Sequence, residues 1–147
     1  MMRTSNGVPE QARCLHLAAS SGRSLAAPGA DWTRLDGDFR RFPVGVRKVG
    51  QIAATGVPLF VANTAEQSEW IARPEWAVRE HICSFAGQPL LFSSETLGVI
   101  AVFSRAELSE IDIRWLRLFA DQAAITLVNA RAFEEIERLK RRLELEN

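Results

Sequence analysis

The sequence has no excess of charge in either direction: 18 basic and 18 acidic side chains leave a formal net charge of zero over 147 residues. No basic cluster stands outside the C-terminal segment, where acids match it, so the positive stripe with which a nucleic-acid-binding protein engages phosphates is missing. Long apolar runs are missing too. The longest, such as residues 99–103, fall far short of the roughly 20 residues that cross a bilayer, and residues 1–13 carry no hydrophobic signal core. The expected location is the cytoplasm. Cysteine is scarce: Cys14 and Cys83 are too few for a disulfide framework and lie in or beside strand-like segments where buried thiols are common. Both are expected to be reduced.

What is present suffices for one domain. With 47% apolar residues the chain can build a real core but has no length for a second. Residues 1–13 are polar, with Asn6-Gly7 and Pro9 as turn formers, and read as an irregular arm. Residues 14–19 give the first strand signal, ended by Ser20-Ser21-Gly22, and residues 25–35, with Pro28-Gly29, read as a loop with a short helical piece. Residues 39–44 are short and extended. Residues 46–54 have the apolar spacing of a brief helix that Gly56 stops, and residues 59–61 read as a strand. Residues 62–79 form a polar and aromatic stretch holding Trp70, Pro74 and Trp76, expected as a loop plus a short helix from about Pro74, the kind of segment that gates a ligand. Residues 84–92 and 96–104, around Ser93-Ser94-Glu95, make the clearest hairpin. Ser109 with Asp112 then caps a helix that meets no Gly or Pro before Asn147, about 57 Å long at 1.5 Å per residue. Such a helix must leave the domain. The fold class is therefore α+β, an antiparallel sheet with flanking helices.

Along that last helix, Leu118, Gln122, Ile125, Asn129, Ala132, Ile136, Leu139 and Leu143 alternate four and three residues apart, the seam of a coiled coil. A second stripe, Leu116, Phe119, Ala123, Leu127, Ala130 and Phe133, flanks only the first half and is expected to face the sheet. Beyond Phe133 the seam alone continues, wrapped in charges with Glu134/Arg138 and Glu137/Arg141 at the favourable i, i+4 spacing. One seam needs one partner, and Gln122 and Asn129 on it would fix register and favour a homodimer at a cost in stability. The alternative is a solvated tail with no partner.

The sequence around Val46-Arg47-Lys48-Val49-Gly50-Gln51-Ile52-Ala53-Ala54-Thr55-Gly56, then Pro58-Leu59-Phe60-Val61, Ser84-Phe85-Ala86-Gly87-Gln88-Pro89-Leu90 and Leu97-Gly98-Val99-Ile100-Ala101-Val102-Phe103-Ser104 resembles the GAF domain family. So does the close, Phe119-Ala120-Asp121-Gln122-Ala123-Ala124-Ile125 running to Asn129-Ala130-Arg131. The resemblance starts near Cys14 and implies a GAF-like sensor domain over residues 14–130, with residues 131–147 as a coiled-coil signalling helix. The tail is similar to that of GAF modules preceding output domains in bacterial sensor kinases of two-component systems and in sigma-54-dependent activators of transcription. Members of the family usually begin with a helix and a central strand. Residues 1–13 have no apolar run to supply either, so the first helix and strand are expected to be missing, through a misassigned start codon or a trimmed chain, leaving an open strand edge.

A cup of sheet, helices and covering loops is a small-molecule site, and the resemblance implies ligands from cyclic nucleotides to tetrapyrroles, without naming one here. The cup lining is expected from residues 62–85: Trp70, Trp76, Arg79, His81, Cys83 and Phe85. Against this, the tryptophans could simply cap the core. Arg79 and His81 could pair with an anionic ligand, although a surface arginine is the commoner case. Cys14-x-His16 and His81-x-Cys83 each place a Cys and a His on one strand face, a possible zinc set only if the two pairs meet; no metal and no cofactor is assigned. Some family members reduce methionine sulfoxide with several cysteines, and Cys83 lacks the resolving partner this requires. The expectation is a non-enzymatic sensor that dimerises through its last helix and passes ligand occupancy to a downstream output domain, without contacting nucleic acid or membrane. The rivals are a ligand-free dimerisation scaffold and a small redox enzyme using Cys83.

Overall fold

The computed structural model describes residues 2–4, 14–33, 41–45, 47–64 and 74–147. The long hairpin is its centre: β5 (Ser84–Phe92) and β6 (Glu95–Ser104) pair from Ser84↔Ser104 to Phe92↔Glu95, with a bulge between Leu90 and Leu91. Ser93 and Ser94 turn the chain with φ of 48° and 66°, the doubly positive geometry whose twist matches that of the flanking strands. On one side β4 (Leu59–Val61) joins β5, and on the other β1 (Met2–Thr4), β2 (Cys14–Leu17) and β3 (Arg41–Pro43) follow β6. The sheet order is β3-β2-β1-β6-β5-β4, antiparallel throughout.

Alternation along the hairpin gives the sheet two apolar faces. On one lies α1 (Arg47–Thr55), ended by Gly56 at φ 67° with its amide donating to the Ile52 carbonyl at 2.8 Å. Val49, Ile52 and Ala53 of α1 pack with Leu15, Val61, Phe85 and Val99 in a buried cluster. Close approach here depends on Gly87, because a Cβ at that position would lie 2.3 Å from Ile52 Cδ1 and 3.0 Å from Phe85 Cζ. On the opposite face, Leu90 and Leu97 pack against Ala120 and Ala124 of α3 (Glu110–Glu146), with Ile100, Leu127 and Val128 around them. The short α2 (Pro74–Arg79) precedes β5.

The α+β architecture and the long last helix are as expected, and local expectations change at several places. Met2–Thr4, expected within an irregular arm, is a strand that pairs with β2 and β6; three residues are too few to show a period, so nothing in the sequence marks them. Met2↔Leu17 places β1 beside β2, and among the described residues the sheet edges fall at β3 and β4. Residues 18–33 run without the short helical piece. Of the stripe expected to face the sheet, Ala123 and Leu127 pack on the Leu90–Leu97 cluster, and Leu116 and Phe119 line a groove against Ala86 and Val102 of the sheet. Phe119 and Phe133 are exposed, and the buried contact is made by Ala120 and Ala124, whose small side chains let the helix approach closely but contribute little to an apolar pattern.

Candidate functional site

The end of α2 closes through a specific device. The Ile82 amide donates to the Ala77 carbonyl at 2.9 Å, and that of His81 to the Val78 carbonyl at 3.2 Å. This is the Schellman pattern, and it requires a left-handed residue just past the helix, here His81 at φ 56°. Its hydrophobic contact is also present, Ala77 and Ile82 being buried together with Trp76 packed on them. His81 therefore serves the backbone, with its side chain exposed. Arg79 is exposed at the last turn of α2, and Cys83 is half-buried, with its amide bonded to the Ser104 carbonyl.

Around this turn lies a network that the sequence did not announce. Glu80 is 3% exposed. Its carboxylate accepts from the Ser24 hydroxyl, from the Leu25 amide at 2.7 Å and from Arg105 Nη2 at 3.0 Å. Arg105 also donates through Nε to the Glu80 carbonyl at 2.7 Å and through Nη2 to the Arg23 carbonyl at 2.6 Å. Burial acts to raise the Glu80 carboxyl, but the Ser24 and Leu25 hydrogen bonds and the charge and bond of Arg105 outweigh it, holding the group below its ordinary 4.5. The network pins residues 23–27 to the α2–β5 junction and to the end of β6. Thr64 adds a further tie, its hydroxyl donating to the Ile82 carbonyl at 2.8 Å.

Beside the network runs an aromatic series. The Trp32 and Trp76 ring centroids are 5.9 Å apart, those of Trp76 and Phe103 5.5 Å in an edge-to-face arrangement, and those of Phe85 and Phe103 5.1 Å. The Arg105 guanidinium lies 5.9 Å from the Trp32 ring centre. Of the residues expected to line a cup, Trp76 and Phe85 are thus linked through Phe103, while Phe85 is fully buried in the core cluster. Arg79, His81 and Cys83 lie around the adjoining turn. Trp70 falls outside the described residues. The two Cys-His pairs do not converge: β1 and β6 separate β2 from β5, three strand spacings or about 14 Å, too far to share a zinc ion or to form a disulfide.

The other candidate surface is α3. Ser109 caps it by accepting from the Asp112 amide at 3.2 Å, and Asp112 accepts from the Ser109 amide at 2.8 Å, a reciprocal capping box. These bonds hold the Asp112 carboxyl below its ordinary 3.8. Every expected seam residue is exposed: Leu118, Ile125, Asn129, Ala132, Ile136, Leu139 and Leu143. Counting back by three and four adds Trp115 and Ile111, also exposed, which the sequence reading did not include. At 3.6 residues per turn the seam and the sheet-packed side of Ala120, Ala124 and Leu127 lie on roughly opposite sides of the helix. An open apolar groove of about 180 Å³ lies between the helix and the sheet, bounded by Ala86, Val102, Ile113, Trp115 and Phe119.

A model of the GAF domain family matches residues 4–127. The chain belongs to the GAF domain family. Among solved structures it is similar to the GAF domain of a phosphoenolpyruvate-protein phosphotransferase from Coxiella burnetii, at 22% identity and a TM-score of 0.55, covering 65% of this chain and 57% of that one. It is also similar to a type II free methionine-R-sulfoxide reductase from Thermoplasma acidophilum, at 18% identity and a TM-score of 0.56, over 76% of this chain and 68% of that one. A third likeness is to a NreA protein from Staphylococcus aureus mutated in its nitrate binding site, at 17% identity and a TM-score of 0.51, over 78% and 82%. These likenesses concern the fold. The chain spans less than two thirds of the first structure's length, and no curated protein matches it.

The GAF family match ends at residue 127, where the packing of α3 on the sheet also runs out at Val128. Among the described residues, no residue of the remaining turns, to Glu146, belongs to a core cluster. Among the described residues no helix is long and apolar enough to cross a membrane.

Proposed function

We propose that this GAF domain is a regulatory module that senses a small molecule, dimerises through α3 and passes ligand occupancy to an output domain in bacterial signal transduction or transcription control, without turnover. The observation that carries the reading is the two-sided helix. One side of α3 is bound into the sheet through Ala120 and Ala124, while the opposite side presents an exposed apolar seam that continues to Leu143, well beyond the sheet. A change in sheet or loop packing therefore has a rigid element to act on, and a second helix has a surface to read. The zero net charge agrees with a protein that makes no direct contact with nucleic acid.

Replacement of Ile136 and Leu139 by Lys tests the helix. The expected result is a monomer by light scattering with the thermal transition of the domain retained; a dimer of unchanged mass would contradict the reading. Sensing is tested by thermal shift against nucleotides and metabolites, where a selective, saturable rise is expected.

A ligand-free scaffold is the second reading, and one observation favours it: Trp76 and Phe85 pack on Phe103, which is how aromatic residues cap a core. Silence across the thermal-shift panel with the dimer intact would select it.

A further inference from the structure

Residues 22–32 pack on themselves as well as on the domain. Ser24 Oγ accepts from the Ala27 amide at 2.9 Å, the Ala30 amide donates to the Ala27 carbonyl at 2.9 Å, and Trp32 lies so close to Gly22 that a Cβ there would be 2.6 Å from its ring. A loop whose ends meet and whose own side chains fill it can move as one body. Its hold on the domain converges on Glu80 and Arg105. The Ser24 hydroxyl and the Leu25 amide donate to the Glu80 carboxylate, and Arg105 Nη2 donates to the Arg23 carbonyl at 2.6 Å. The Trp32 ring centre lies 5.9 Å from that of Trp76 and 5.9 Å from the Arg105 guanidinium.

We propose that residues 22–32 are a strap that seats and lifts as a unit, and that Arg105 passes its position to the first turns of α3; this deepens the sensory role proposed above and rests on it. Arg105 directly follows β6, and the chain then reaches Ser109, the cap of α3. Over those few residues it crosses from the end of the aromatic series to the opposite face of the sheet. With the strap seated, Arg105 is held by three acceptors, the Glu80 carbonyl, the Glu80 carboxylate and the Arg23 carbonyl. The next residue is fixed too: the Ala106 carbonyl accepts from Ser84 Oγ at 2.7 Å, and its amide donates to Ser104 Oγ at 3.1 Å. Lifting the strap takes the Arg23 carbonyl and the Trp32 ring from Arg105 and two donors from the buried Glu80 carboxylate. The guanidinium must then reorient to satisfy that carboxylate, and the connection to α3 moves with it. α3 has room to respond. It is bound to the sheet at Ala120 and Ala124, whereas Ile113, Trp115 and Leu116 near its start border the open groove over Ala86 and Val102. A ligand that favours one strap position therefore biases the start of α3.

Arg105 is in this account a positioning residue, and hydrogen exchange of the whole chain reads its effect. Ser24→Ala and Trp32→Ala loosen the strap from two sides. Each is expected to speed exchange of the Leu25 and Ala30 amides about tenfold, to speed that of residues 113–116 by a smaller factor and to leave residues 123–127 unchanged. In an Arg105→Gln chain, residues 113–116 are expected to exchange fast from the outset, and adding Ser24→Ala should loosen the strap with no further effect on them. Residues 113–116 that ignore a loosened strap, or that answer it equally without the Arg105 guanidinium, would overturn the coupling. Leu25 and Ala30 amides unchanged in both strap variants would overturn the strap as a moving body. A thermal-shift panel on the unaltered chain keeps the two readings apart: a selective rise with the coupling absent strikes the strap alone, and silence strikes the sensory role and the regulation with it.

Discussion

Gly87 is the position where a single hydrogen in place of a methyl group decides how closely α1 sits on the sheet. Its pro-Cβ direction points at Ile52 Cδ1, 2.3 Å away, and Ile52 has no exposed surface into which to retreat. Gly87→Ala should therefore destabilise the fold by about 1–3 kcal/mol in chemical denaturation. Adding Ile52→Val, which removes Cδ1 and alone costs about 1 kcal/mol, should recover part of that loss, a coupling that two independent defects would not show. At His81 the sign is reversed. A side chain held at φ 56° in the Schellman turn carries left-handed strain, so His81→Gly should stabilise by about 1 kcal/mol; a lower midpoint would mean that the imidazole makes a contact of its own. Glu80 belongs to the same junction and gives a pH dependence. With its folded value lowered from 4.5 and that of Asp112 from 3.8, both groups contribute stability that is fully present at neutral pH. It is lost as pH falls below those ordinary values and through the lowered folded ones. Thermal midpoints should stay level well above pH 4.5 and then fall, and Glu80→Gln should lower the neutral plateau and make the acid fall shallower.

Elements differ in how openly the sequence declares them. The β5–β6 hairpin and α3 were legible because each is long enough to repeat its period many times, and α1 because Gly56 stops a clear apolar spacing. β1 was not legible, since three residues between two longer strands are held by backbone pairing rather than by any pattern of their own. The sheet-facing side of α3 was legible only in part: Ala123 and Leu127 pack on the sheet as expected, but Ala120 and Ala124, which make the buried contact by being small, were missed, and Phe133 lies exposed. The Glu80–Arg105–Ser24 network could not be read at all, because its partners are 25 and 56 residues apart in the chain and charged pairs of that separation have no local signature. The start of α3 was plain from Ser109 and Asp112. Ser109→Ala should cost about 1 kcal/mol, visible as a lowered thermal midpoint with helix content otherwise retained; an unchanged midpoint would show that the first turn is already frayed.

In the molecule as a whole, the sheet carries different loads on its two faces. On one, α1 and the pinned segment 23–27 hold the aromatic series that ends at Trp32; on the other, α3 is fixed over its first half and free over its second. A ligand that binds the folded domain alone should raise its stability with the logarithm of its concentration above Kd, by about 2.7 kcal/mol at a hundredfold excess. Such a rise, obtained with the helix pair intact and lost with it, would link the two faces. That link presupposes the pair itself. Sedimentation equilibrium of the unaltered chain over a range of concentrations is the most direct test: the expected result is a species of twice the 16.4 kDa monomer mass, and a single 16.4 kDa species throughout would contradict the assignment of α3 as the dimer and signalling element.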